Sequence, residues 1–222
     1  MRSARRTRFA WATTAALAVV AILAPILGAL ADHAPVKKKM LAGFLTLGVG
    51  ATAAMVGVGQ GDWELALWTF ALANIGVAGS FVFYDALLPH IATPEEVDRV
   101  STAGYALGYL GGAVLLAGCL AVIERPELLG LPDAEAASRA SFAAVAVWWV
   151  AFSIPLFRRI EEPPVAPSMK PRSARVGEAL RRLGGTLKEL RRFRAAFLTM
   201  LAFLLYNDGI QTIIRMAAVF GA

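Results

Sequence analysis

Apolar residues in this chain fall into six runs of spanning length, each closed by a short polar stretch. The runs extend over about Phe9 to Ala31, Met40 to Val58, Leu65 to Leu88, Thr102 to Ile123, Arg139 to Phe157 and Ala195 to Ala222. A helix that crosses a bilayer needs ~20 mostly apolar residues, which these runs supply. The connections carry the turn chemistry that a helical hairpin requires: Gly59-Gln60-Gly61-Asp62, then Pro94-Glu95-Glu96, then Pro126 and Pro132 with acidic residues. The pattern predicts an all-α, polytopic transmembrane helix bundle. Its clearest instance is the stretch from Phe81 to Gly112. There an aromatic run ends at Asp85, a charged, proline-bearing loop follows, and a second apolar run begins at Ser101.

One connection differs from the others. From Arg158 to Arg194 it opens with Glu161-Glu162-Pro163-Pro164, continues through Pro167 and Pro171, and reads as an extended linker. From Val176 to Phe193, leucines recur every three or four residues between basic ones, which predicts an amphipathic helix lying at the membrane surface. The expected organisation is therefore five transmembrane helices over 1–158, a basic cytoplasmic central loop over 159–194, and one further helix over 195–222.

Composition agrees with the pattern. The chain is 58% hydrophobic and 17% charged, with mean hydropathy +0.60, against roughly 45–50% apolar and about 25% charged in soluble domains. Its net charge of +6 does not mark a nucleic-acid binder, because eleven of the 22 basic residues sit in the one long connection. Counted on alternate sides of the expected spans, Lys and Arg number fifteen on the side of Lys37, Lys38, Lys39, Arg99 and the long connection, and six on the other. The first side is expected to be cytoplasmic. The four N-terminal arginines then fall outside, which an upstream helix would resolve, so the chain is expected to be the interior portion of a longer transporter. Cys119 stands alone in an apolar run, leaving no disulfide framework. His33 and His90 have no accompanying ligand set, so no metal is expected. No nucleophile–base pair, phosphate loop or redox motif is present; neither an enzyme nor a cofactor is expected.

Three patches carry a family resemblance. Gly28-x-x-x-Asp32 followed by Lys37-Lys38-Lys39 resembles the loop between helices 2 and 3 of the major facilitator superfamily. FYDALLPHIA, with GYALGYLGG on the next helix, is similar to the vacuolar-effluxer-like branch of that superfamily, the autophagy-related amino-acid effluxers. FLLYNDGIQTIIRMAAVFGA looks like the seventh helix of that branch. The resemblance implies that the six runs are helices 2 to 7, and that the missing helices of the same transporter are its nearest partners. Ala34-Pro35 departs from the usual Gly-Arg pair, and Tyr109 stands where the glycine motif of antiporters has proline, so antiport is not inferred.

Within that frame the function expected is secondary active transport of a small solute, amino acids among the candidates, by alternating access in the cell's inner membrane. The alternative is a truncated, non-transporting membrane module with a structural or regulatory role. Asp208, with Asn207, Gln211 and Arg215 nearby, falls near the middle of the last run, where a charge either faces a cavity and serves a substrate or proton pathway or pairs with a neighbour. Asn74 lies mid-run and bonds either substrate or another helix. Gly28, Asp32, Lys37 and Asp85 are expected at a cytoplasmic gate, with Lys37–Lys39 in a loop at the headgroups; a solvated loop charge at Asp32 and a plain helix-end charge at Asp85 are the bland readings. Gly104, Gly108, Gly111 and Gly112 are expected to form a packing face.

Overall fold

The computed structural model describes residues 27–28, 36–59, 61–162, scattered positions between 177 and 189, and 192–220; for 204, 207, 208 and 211–220 it describes the backbone alone. All regular structure among these residues is helical. Helix α1 spans Lys37–Ala54 and runs into a 3-10 turn, Met55–Gly57. Helix α2 spans Trp63–Asp85 and is followed by a 3-10 turn, Leu88–His90. Helix α3 covers Val97–Glu124, α4 covers Ala134–Arg159 and α5 covers Arg194–Phe220. Among the described residues four segments, containing α1 to α4, are long and apolar enough to cross a membrane. The first apolar run lies outside the described residues except for Leu27 and Gly28, which are helical, and the expected amphipathic helix over 176–193 lies largely outside them.

The described helices start earlier than apolarity alone suggests. Helix α1 takes in Lys37–Lys39, α3 takes in Val97-Asp98-Arg99, and α4 begins at Ala134. Each extension is a polar turn at a helix start. At α4 the reason is local: the Asp133 carboxylate accepts from the Ala136 N–H at 2.8 Å, satisfying one of the four donors that a helix start leaves free. The hairpin before α2 turns on Gly61, whose φ of +98° suits a residue without Cβ.

The chain divides into two compact units, one within Trp11–Met169 and the other within Met1–Ala10 and Lys170–Ala222. In the first, α1 pairs along α2 and also packs on α4, while α3 meets α4. The α1–α2 approach is set by glycine. A Cβ on Gly76 would fall on the Gly48 backbone, and one on Gly48 would fall on the Trp149 ring of α4. Lipid offers no hydrophobic drive for helix association, so backbone proximity and packing supply it. The polar side chains within these spans turn back on their own helices: Ser80 Oγ donates to the Gly76 carbonyl at 2.7 Å, and Thr52 Oγ1 to the Gly48 carbonyl at 2.8 Å. The tightest apolar cluster joins Leu27, Leu41, Phe83 and Leu87, with Phe44 stacked on Phe83 at 5.9 Å.

Candidate functional site

Three helix ends meet where that cluster reaches the polar edge of the bundle. The Glu162 carboxylate, just beyond the end of α4, accepts from the Lys37 N–H at 2.7 Å through Oε1 and from the Lys38 N–H at 2.9 Å through Oε2. These are donors of the first turn of α1, which no side chain of its own N-cap residue, Val36, satisfies. The Lys37 ammonium reaches the other way, to the carbonyl of Ala86 at the end of α2 (3.1 Å) and to His90 Nε2 (2.8 Å). An ammonium only donates, so Nε2 is the accepting nitrogen of that ring. Lys38 Nζ donates to the Phe157 carbonyl in the last turn of α4 at 3.0 Å. A carboxylate thus faces a helix N-terminus and two ammonium groups face helix C-termini, the sign that each helix dipole favours.

This corrects the expectation for Lys37. The structure places it in a helix rather than a headgroup loop, and 5% exposed rather than solvated. The reason is that both its amide and its ammonium have partners there, so burial costs little. Glu162 and His90 are the junction residues that sequence reasoning did not single out. The signal was an acidic pair, Glu161-Glu162, inside a connection otherwise dominated by basic residues and prolines.

Beside the junction lies a cavity of about 480 Å³, bounded by the end of α2, the first half of α3 and the end of α4. Among the described residues Asp85 is its one charged residue, and Tyr84, Tyr105 and Tyr109 line it with Phe81. Among the described residues no Lys or Arg is within ion-pair distance of Asp85.

The other expected site residues fall as follows. Asn74 is half-buried on α2 and donates from Nδ2 to the Phe70 carbonyl of its own helix at 2.8 Å. Asn207, Asp208, Gln211 and Arg215 are on α5, but their side chains lie outside the described residues, as does Asp32 altogether. Gly28 is helical beside Leu27. Of the four α3 glycines, Gly104 and Gly108 border the cavity, Gly111 approaches Trp148, and a Cβ on Gly108 or Gly112 would meet open space. Among the described residues the closest helix approaches fall at Gly48, Gly76 and Gly79.

Comparison with known proteins finds relatives along most of the chain. A family described as "Vacuole effluxer Atg22 like" matches residues 9–222. The "Uncharacterized MFS-type transporter YxiO" of Bacillus subtilis (strain 168) is 35% identical over 205 residues, covering 92% of this chain and 47% of that protein. "Autophagy-related protein 22-1" of Aspergillus niger is 27% identical over 127 residues, covering 55% of this chain and 20% of that protein, and its namesake in Penicillium rubens is also 27% identical, over 131 residues. The chain therefore spans about half the length of the Bacillus relative and less of the fungal ones. No solved structure matches it.

Proposed function

The chain belongs to the Atg22-like vacuole effluxer family of membrane transporters, and on that premise we propose that it forms part of a secondary active transporter that moves a small solute by alternating access. Amino acids are the solute class to test first, because they are what the family resemblance implies. The observation that carries the mechanistic half of this reading is the junction of three helix ends. Rocking of half-bundles around a midplane site needs each half to move as one body. Glu162, Lys37 and Lys38 tie α1, α2 and α4 together at one end, with each ionic group on a backbone partner. We assign that end to the cytoplasmic face of the cell's inner membrane, since the basic connections meet there. In this reading the 159–194 connection is the central loop between half-bundles, and its first acidic residues anchor it to the helices it follows.

Asp208 on α5 is the residue we assign to the solute or proton pathway, with Asn207, Gln211 and Arg215 on the same helix. The support is the cost of a charge near mid-membrane, which is tolerated where it faces a cavity or a partner. The test is uptake of a labelled amino-acid panel into proteoliposomes across an imposed pH gradient. Uptake above empty liposomes, made insensitive to the gradient by Asp208→Asn, supports both parts. No uptake of any member overturns the solute class. Uptake whose pH dependence survives Asp208→Asn overturns proton coupling through that residue.

A further inference from the structure

We propose that the cavity between the ends of α2 and α4 and the first half of α3 is a binding site for an organic ammonium ion with an apolar body. The inference stands apart from the transport reading, since it concerns equilibrium binding and none of the residues assigned to the solute pathway. Its size of about 480 Å³ is that of a small-molecule site, where pockets run from roughly 300 to 1,000 Å³. Among the described residues the lining is apolar and aromatic but for Asp85, Ser101 and the tyrosine hydroxyls, and it includes no Lys, Arg or His. A single carboxylate in such a wall selects for sign: an anion is repelled, and a neutral solute shields the carboxylate from water without answering its charge.

Neighbouring protein cations do not fill the role. Lys37 Nζ is held by the Ala86 carbonyl and His90, and Lys38 Nζ by the Phe157 carbonyl. The rings supply the second half of the recognition. Tyr84 meets Phe81 edge to face at 6.5 Å, and Tyr105 lines the α3 side of the same cavity. An ammonium between them gains an ionic partner and the negative faces of tyrosine rings at once. The space is left because α3 carries glycine here: among the described residues nothing lies within 4 Å of a Cβ built on Gly108, and on Gly104 only the Tyr84 hydroxyl does, at 3.7 Å.

The probe is 2-(1-naphthyl)ethylammonium, titrated by its own fluorescence into the full chain in phosphatidylcholine nanodiscs, with protein-free discs subtracted. The neutral isostere 2-(1-naphthyl)ethanol is titrated in parallel. Saturable binding of the ammonium at least tenfold tighter than that of the alcohol is expected. Asp85→Asn should abolish the tenfold preference, Asp85→Glu should keep it within about threefold, and Gly108→Leu should block both ligands by filling the cavity. Circular dichroism of each variant separates loss of binding from loss of fold, and the Asp85→Glu rescue does so independently. Equal affinity for amine and alcohol, or a preference that survives Asp85→Asn, overturns the proposal. So does Asp85-dependent loss of probe binding when phosphatidylethanolamine replaces phosphatidylcholine, because the occupant would then be a lipid headgroup rather than a soluble amine.

Discussion

Replacing Glu162 with alanine tests the junction most directly. The change strips two N–H groups of α1 of their acceptors, at 2.7 and 2.9 Å, and removes a half-buried carboxylate from a helix N-terminus. Loss of an N-cap acceptor costs about 0.5–2 kcal/mol. The charge at the positive end of the helix dipole contributes about 0.3–1 kcal/mol more. Because two donors are left bare in partly buried surroundings, we expect Glu162→Ala to destabilise the bundle by about 2 kcal/mol. That is a shift of about thirtyfold in the unfolding equilibrium, at about 1.4 kcal/mol per factor of ten. Glu162→Gln keeps one oxygen acceptor without the charge and should fall about halfway. The assay is unfolding by sodium dodecyl sulfate in mixed micelles, followed by circular dichroism. Glu161→Ala is the matched control: it removes the same charge one residue earlier, from an exposed side chain. If the Glu161 and Glu162 variants unfold together, or Glu162→Ala costs less than about 0.5 kcal/mol, the carboxylate does not hold α1 and the junction has no mechanical role.

Three further outcomes follow from the same geometry. Lys37→Met keeps the bulk of a buried side chain but leaves the Ala86 carbonyl and His90 without its ammonium, so a loss of about 1–3 kcal/mol is expected in the same unfolding assay. Gly76→Leu drives a side chain into the Gly48 backbone and should cost about 3 kcal/mol or more, seen as failure to recover folded protein; Gly43→Ala, with open space around it, should be neutral or stabilise by up to about 1 kcal/mol. Asp133→Ala removes the acceptor at the start of α4 and should cost about 1 kcal/mol, with amide exchange quickening over the first turn of α4.

The spans were legible because apolarity over twenty residues is a local property: Trp63–Asp85 and Ala134–Arg159 lie where the runs predict them, give or take a polar turn at each end. The small residues of the second run marked a helix that others approach closely, and Gly48 is where that happens. What could not be read was which polar end group meets which. Glu162 finds α1 across 125 positions of chain, and Lys37 finds His90 across 53, and no periodicity links them. Lys37-Lys38-Lys39 reads as a headgroup cluster for the same reason: a lysine's burial depends on a carbonyl from another helix. The α3 glycines show a different limit. Their spacing is that of a packing stripe, and among the described residues nothing lies opposite Gly108 or Gly112, because spacing says which face glycine occupies and not what lies opposite.

The contacts along α1 and α2 are placed so that neither helix can shift without the other. At mid-helix the Gly48–Gly76 approach leaves no room for a side chain, and the Phe44 ring already packs on α2 where a Cβ on Gly79 would fall, so sliding by a turn would bring Thr52 against the α2 backbone at Gly76. Nearer the polar end the Phe44 and Phe83 rings stack, and at the end itself Lys37 holds the Ala86 carbonyl that caps α2 while Glu162 holds the first amides of α1. Apolar packing in lipid fixes distance but gives little directional preference, since lipid chains solvate a leucine as well as a neighbouring helix does. The hydrogen-bonded junction supplies the direction. In the reading proposed above, a pair locked at both levels would transmit a displacement at the Glu162 end along its length as a tilt, the motion that alternating access asks of a half-bundle. Cutting the junction while sparing the glycines, as Glu162→Ala does, should therefore leave the helices paired but free to tilt independently, and a distance measured between spin labels at Thr46 and Val77 should keep its mean while its distribution at Met40 and Ala92 broadens.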